Sequence, residues 1–499
     1  MKRRYVAASI AAWLLASACT PGGVAAPSPS RPPEPVLASY TPAPSSTIDT
    51  RPTARPATPP SLILIDDDGS GMRLRGRPID PNTLADVPGY APISFEHHYQ
   101  AAVSPDGKTI AAVLWPGGAA DSGASLHLID TAAWVDRALA FKIDTYTSAL
   151  KFDAGGSAMY WTQMTSSAPN ASTSALMRLD VASGALREIM RLPDGFYVRE
   201  IAVAGPRIAV YGEPILVLID GKPRDVPSLF LIDPVAGKIA STIRLPIRAG
   251  QYQDPAAANS DEPFRLISPG FGWDLPRSRL FVADAESNRI FVADLRTGQI
   301  RGPFEPRQRR SMIDVLWSLF GTVAEAKMVA STQQEAVVSP DGKRLYVSGL
   351  RSDFAKGQDG KYHENAMPID LRIIDTEDMS EIARLGGATT TLWISPDGAA
   401  LLYGTNRYDT SAEGYASRLD FKLHLLDTAG AREIAALPFD GMPFLTTFDA
   451  ERRLAYVQSL ASGNVGRATV LQIDLSTGVA IGKREMERHF ADVLLLRTR

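Results

Sequence analysis

One cysteine in 499 residues, Cys19, excludes internal disulfides and any zinc, haem or iron–sulfur centre built on thiolates. An excess of charge is missing as well. The 52 lysines and arginines stand against 55 aspartates and glutamates without a long basic run, so no nucleic-acid partner is expected. The chain carries no Gly-x-Ser-x-Gly elbow, Walker loop or dinucleotide fingerprint. Histidines number six, and His127, His363, His424 and His489 repeat no ligand spacing, so neither a metal nor a cofactor is expected.

What is present begins with a leader. Met1 to Arg4 is basic, Tyr5 to Leu15 is apolar but too short to span about 30 Å of bilayer, and Leu15-Ala16-Ser17-Ala18-Cys19 is a small-residue cleavage site. These residues resemble the lipobox of bacterial lipoproteins, with leucine four residues before the cysteine. The resemblance implies that residues 1–19 are a lipoprotein signal peptide with its lipobox cysteine, that the peptide is removed before Cys19, that Cys19 then carries the lipid, and that the exported chain is held at the cell membrane or outer membrane. From Thr20 to Pro60 the sequence is rich in proline, serine, threonine and alanine and holds twelve of the 37 prolines. Such a tract stays extended, and at about 3.1 Å per residue it reaches on the order of 120 Å. It reads as a disordered linker carrying a folded domain over 61–499.

That domain repeats itself. "AAVSPDGKTIAAV" at Ala101, "AVVSPDGKRLYV" at Ala336 and "LWISPDGAALLY" at Leu392 each set Ser-Pro-Asp-Gly between apolar runs. Proline presets φ, aspartate suits the next position and glycine accepts the left-handed conformation that returns the chain as a hairpin. Weaker forms follow Phe152 and Phe448. A second element, a β-branched run ending in Asp and a short turn, recurs at Asp130, Asp180, Asp233, Asp294, Asp375, Asp427 and Asp474. Each unit therefore reads as four antiparallel strands. A lone sheet of this kind cannot bury both apolar faces, whereas a ring of them can.

The predicted fold is an all-β propeller of seven or eight four-stranded blades, with units starting near Ala101, Ser148, Arg199, Arg265, Glu335, Thr391 and Leu445. "SPDGKRLYV" with "IIDT" resembles the YVTN and lactonase-like bacterial propeller repeats, a quinoprotein amine dehydrogenase-like type, over about 400 residues. Repeats of that type imply fold and transfer no catalytic residue. An apparent eighth Asp hairpin at Ser61 to Leu74 and a C-terminal strand, "ADVLLLRTR", are left over, and pairing them gives eight blades. One helical insertion is expected within Glu305 to Gln334, where Met312, Val315, Leu316, Leu319, Val323 and Ala326 fall at helical spacing.

The repeat separates two faces. First-to-second and third-to-fourth strand turns are short, while long insertions (162–175, 212–226, 251–264, 350–367 and 405–418) fall in the other connections. Variable loops on a rigid scaffold are where binding groups are placed. The candidate binding face carries Tyr99, Phe196, Tyr197, Arg199, Tyr252, Trp273, Tyr362, Arg407, Tyr408 and Tyr415. Glu96 and His98, on one side of "FEHHYQ" with His97 on the other, are channel candidates. "DDDGSG" at Asp66 resembles the start of a calcium loop, but Arg77 stands where a bidentate acid is needed. The leading expectation is a membrane-tethered, extracytoplasmic binding scaffold for a protein or cell-envelope polymer, without catalysis. A lactonase-like enzyme working in the channel and a structural subunit of an envelope assembly are the alternatives.

Overall fold

The computed structural model describes residues 60–67, 73–96, 99–114, 125–139, 150–168, 171–214, 226–252, 265–306, 330–356, 362–386, 391–409, 417–439, 441–461, 468–486 and 491–496. They form eight four-stranded antiparallel blades. The first is built from both ends of the chain: Ala491–Leu495 lies innermost, followed outward by Leu62–Asp67, Arg73–Ile79 and Ile93–Glu96. The second to eighth blades begin at Tyr99, Lys151, Phe196, Gly270, Ala330, Leu392 and Gly441 and run from the inside outward in chain order.

Eight apolar clusters join the blades, one at each junction. Leu62 and Leu64 pack with Leu454, Tyr456 and Val470 of the eighth blade, while Ile63 and Ile65 pack with Ile110 and Ile129 of the second. Side chains alternate along a strand, so a strand covered on both faces reads as an unbroken apolar run, here Leu-Ile-Leu-Ile. The remaining six junctions repeat the arrangement around fully buried Trp161, Val210, Tyr211, Phe281, Tyr346 and Val457.

Hydrogen-bonded turns close one face. In the second blade Ser104 Oγ donates to Asp106 at 2.7 Å and accepts the Thr109 amide at 2.9 Å, and the Ser339 and Ser395 turns repeat both bonds. Each of the eight third-to-fourth strand turns has a left-handed residue four positions after its aspartate: Leu84, Trp134, Gly184, Gly237, Gly298, Met379, Ala431 and Gly478. Asp80 therefore heads the eighth Asp turn, with its amide bonded to Ala85 O and its carbonyl accepting from Leu84. The expectation that Asp66 heads it is corrected. Asp66 lies one residue before the end of the second strand of its blade, is buried, and pairs with Arg75 and Arg77.

The opposite face is built differently. Arg344–Lys356 (13 residues) and Tyr362–Asp375 (14 residues) stay paired as far as Lys356 and Tyr362, whereas the matching strand Thr109–Leu114 has 6 residues. At about 3.3 Å per residue, this hairpin rises some 20 Å beyond an ordinary blade edge. Ala158–Ala168 with Ala171–Asp180, and Ala400–Asp409 with Ser417–Asp427, extend in the same way. Three expected long loops are thus largely continuous strands.

Two further expectations change. Arg265–Ser268 does not open the fifth blade, which starts at Gly270; it pairs in parallel with the innermost strand of the sixth, Ile267 against Thr332. The helical reading of Glu305 to Gln334 falls mainly on 307–329, outside the described residues, and its last five residues already belong to strand Ala330–Val338. Among the described residues the helical element is a short 3-10 turn at Leu275–Arg277, and no helix is long and apolar enough to cross a membrane.

Candidate functional site

An innermost strand has its blade's second strand on one side, so its other edge faces the central channel. In the sixth blade that edge is occupied at its upper end. Gly250–Tyr252 pairs with Arg265–Ser268, which pairs with Ala330–Val338, giving a six-stranded sheet whose extra strands lie along the channel rim. The Leu266 amide donates to Ser331 Oγ at 2.9 Å and fastens the rim from within.

Beside this rim the innermost strands of the fourth, fifth and sixth blades place a polar wall. Phe196–Ala204 carries Arg199 and Glu200 inside an otherwise apolar run. Arg199 Nη2 donates to Ser268 Oγ at 3.1 Å, and its Nε lies 3.7 Å from Glu213 Oε2. The Tyr211 hydroxyl donates to the other Glu213 oxygen at 3.3 Å. Glu200 accepts the Trp273 indole N–H at 2.6 Å, and Glu335 accepts the Leu392 amide of the seventh blade at 3.0 Å.

Burial sets the charge of this wall. It raises the Glu200 carboxyl above its ordinary range, opposed by the Trp273 hydrogen bond and by Lys151 and Arg199. It pushes Glu213 up to about 7 against the pull of Arg199, and Glu335 up to about 8 against the Leu392 amide, with Glu200 adding to the rise. The Tyr211 hydroxyl is held well above its usual range, first by burial and then by Glu213. Burial thus favours the neutral carboxyl form of Glu200, Glu213 and Glu335 beside the Arg199 guanidinium. Groups perturbed by desolvation in a channel are candidates for ligand contact.

The sequence candidates divide. Arg199 and Trp273 lie in the wall. Phe196 is only 8 % exposed and meets Phe230 edge-on at 5.2 Å, and Tyr197 is half-buried beside it. Glu96, Tyr99, Tyr252, Tyr362, Arg407 and Tyr408 sit on described strands, but their side chains lie outside the described residues, as do Cys19, His98 and Tyr415 altogether. Sequence reading passed over Glu200, Glu213 and Glu335. The available signal was an acid inside an apolar innermost strand, as in "FYVREIAVA" and "QQEAVV".

A second arrangement resembles catalytic machinery. Ser125 Oγ lies 3.1 Å from His127 Nε2, and His127 Nδ1 lies 2.6 Å from Asp136. The same distances that define an activated nucleophile are met. They recur in the seventh blade, where Thr405 Oγ1 lies 2.7 Å from His424 Nε2, and His424 Nδ1 lies 2.6 Å from Glu433, under a stacked Tyr403 ring. In both blades the histidine stands three residues before the turn aspartate and its acid six residues after it. The histidine and its acid recur at one repeat position on third and fourth strands away from the channel, whereas Ser125 lies on a third strand and Thr405 on a second, and the recurrence assigns these pairs to blade cohesion. Among the described residues no three His, Cys, Asp or Glu side chains gather as metal ligands.

No protein-family model matches the chain, and no curated protein matches it in sequence. Among solved structures it resembles the dihydro-heme d1 dehydrogenase NirN in complex with DHE, with a TM-score of 0.53 at 13% identity over 90% of this chain and 78% of that one. It also matches a chain of the mitotic checkpoint complex, with a TM-score of 0.36 at 10% identity over 66% of this chain and 74% of that one. The first likeness is one of fold, the second is too slight to use, and the protein stands as an eight-bladed β-propeller.

Proposed function

We propose that this chain is a lipid-anchored, extracytoplasmic binding propeller that takes a protein or a cell-envelope polymer on the face bearing the extended hairpins, over the polar mouth of its channel. The observation that carries this reading is the difference between the two faces. One is closed by short turns whose donors and acceptors are paired among themselves. The other raises three paired hairpins around a wall with buried acids and a half-buried tryptophan. Paired hairpins are stiffer than loops of equal length, so they can present side chains without a large ordering cost on binding. The lipobox-like leader and the proline-rich tract supply the anchor and the reach. Affinity capture from native membranes with the full chain, against a variant in which 351–367 is replaced by a two-residue turn, tests it. A partner retained by the parent and lost by the variant supports the reading; identical captures oppose it.

A further inference from the structure

We infer that the channel wall between the fourth and sixth blades receives the hydroxyl groups of a carbohydrate, with the Trp273 ring as the surface under its apolar face; this rests on the binding role proposed above. Three observations carry it. First, the wall has spare hydrogen-bonding capacity. The amide oxygen of Gln334, which is 9 % exposed and adjoins Glu335 on the same strand, is buried without a donor. Among the described residues, Glu200 and Glu335 each have one oxygen bonded to a neighbouring blade and no recorded partner for the other. Second, its charges are already answered from within: Arg199 by Glu213 and Ser268, and Glu200 by Trp273 and Lys151. A ligand carrying a fixed charge of either sign finds no unanswered counter-charge in this set. Third, a buried carboxyl that keeps its proton both donates and accepts, as a sugar hydroxyl does, and burial favours that form of Glu335. The indole is immobilised by its own N–H, so no rotamer has to be ordered when a ring stacks on it.

The probe is a panel of neutral gluco-, manno-, galacto- and N-acetylglucosamine oligosaccharides, titrated onto the full chain in detergent by calorimetry. At least one member is expected to bind, with Trp273→Ala and Gln334→Leu each weakening it at least tenfold while melting temperatures show that both variants stay folded. Glu335→Gln, which keeps a donor and an acceptor, is expected to weaken it less than threefold. Absence of binding at millimolar sugar, or binding indifferent to Trp273 and Gln334, overturns the inference. Membrane capture separates the two levels. A protein partner captured equally by parent and Trp273→Ala, with no sugar bound, removes the carbohydrate and keeps the binding face; a blank in both experiments removes both.

Discussion

The hydroxyl of Thr131 donates to the carbonyl of Gly107, 24 residues earlier, at 2.8 Å. It ties the Asp turn of the second blade to the Ser-Pro-Asp-Gly turn of the same blade. Thr376 does this to Gly342 and Thr428 to Gly398. The three blades with Ser-Pro-Asp-Gly are the three whose turn aspartate is followed by threonine; elsewhere proline, valine or leucine follows. Two motifs that look independent along the chain are therefore halves of one hydrogen bond. Thr131→Val preserves shape and leaves the carbonyl without this donor, and about 1–2 kcal/mol should be lost. Urea unfolding of the variant measures it, and an unchanged midpoint would count against the tie.

Backbone handedness at the Asp turns gives an opposed pair of substitutions. At Gly298, with φ of +78°, an added Cβ would lie 2.3 Å from Ser241 Oγ. Gly298→Ala should lose at least about 1–2 kcal/mol from strain and crowding together. Ala431 adopts φ of +48° without glycine's freedom. Ala431→Gly should gain about 0.5 kcal/mol, relief of strain exceeding the added chain entropy. Thermal melts of the two variants should shift in opposite directions.

Ring closure depends on the eighth blade gripping the first. Arg484 donates to Asp86 at 2.8 Å and to the Leu84 carbonyl, while Gln472 and Tyr456 donate to the Pro81 carbonyl. All of these contacts hold the Asp80 turn. Arg484→Ala should cost about 1–2 kcal/mol and speed amide exchange mainly in Leu62–Asp67 and Ala491–Leu495, where the two ends pair. Uniform acceleration across all blades would contradict a local clasp.

Glu213 makes stability depend on pH. Its carboxyl ionises near 4.5 when unexceptional and near 7 when buried here. Below the lower value both folded and unfolded chains hold the proton. Between the two values only the folded chain does, so stability falls as pH rises through that window and levels off above it. This residue accounts for a fall on the order of 3 kcal/mol. Glu213→Gln should flatten the slope and be more stable than the parent at about pH 8, with little difference at about pH 4. Unfolding midpoints at intervals between those limits test the sign, and a parent curve that rises through the window would refute it.

Much of this architecture was legible from residues alone, because propeller repeats write their turns in glycine, proline and aspartate. Seven Asp turns and the pairing of the two chain ends could be read in this way. Asp80 escaped because Leu84 holds the left-handed position that glycine marks in four other blades, and because "RLRGRPI" looks too basic for a buried strand. Two of its arginines are taken up by Asp66. The extended hairpins escaped because their sequences, such as "TSSAPNASTS" and "GLRSDFAKGQDG", carry no apolar alternation. The wall escaped for another reason: Glu200 and Glu213 share one hairpin of the fourth blade, but Glu335 is far from both in sequence, and only the ring brings it near Glu200.

The most direct test of which face does the work uses the scarcity of cysteine. With Cys19 as the one native cysteine, single substitutions can carry a maleimide-linked polymer on either face. Lys108→Cys and Glu451→Cys place it on the tight-turn face, and Met367→Cys and Val226→Cys on the hairpin face, all at exposed positions. Capture from membranes should survive modification of the first pair and be lost with the second. Loss with the first pair and survival with the second would place the binding surface on the other side of the ring.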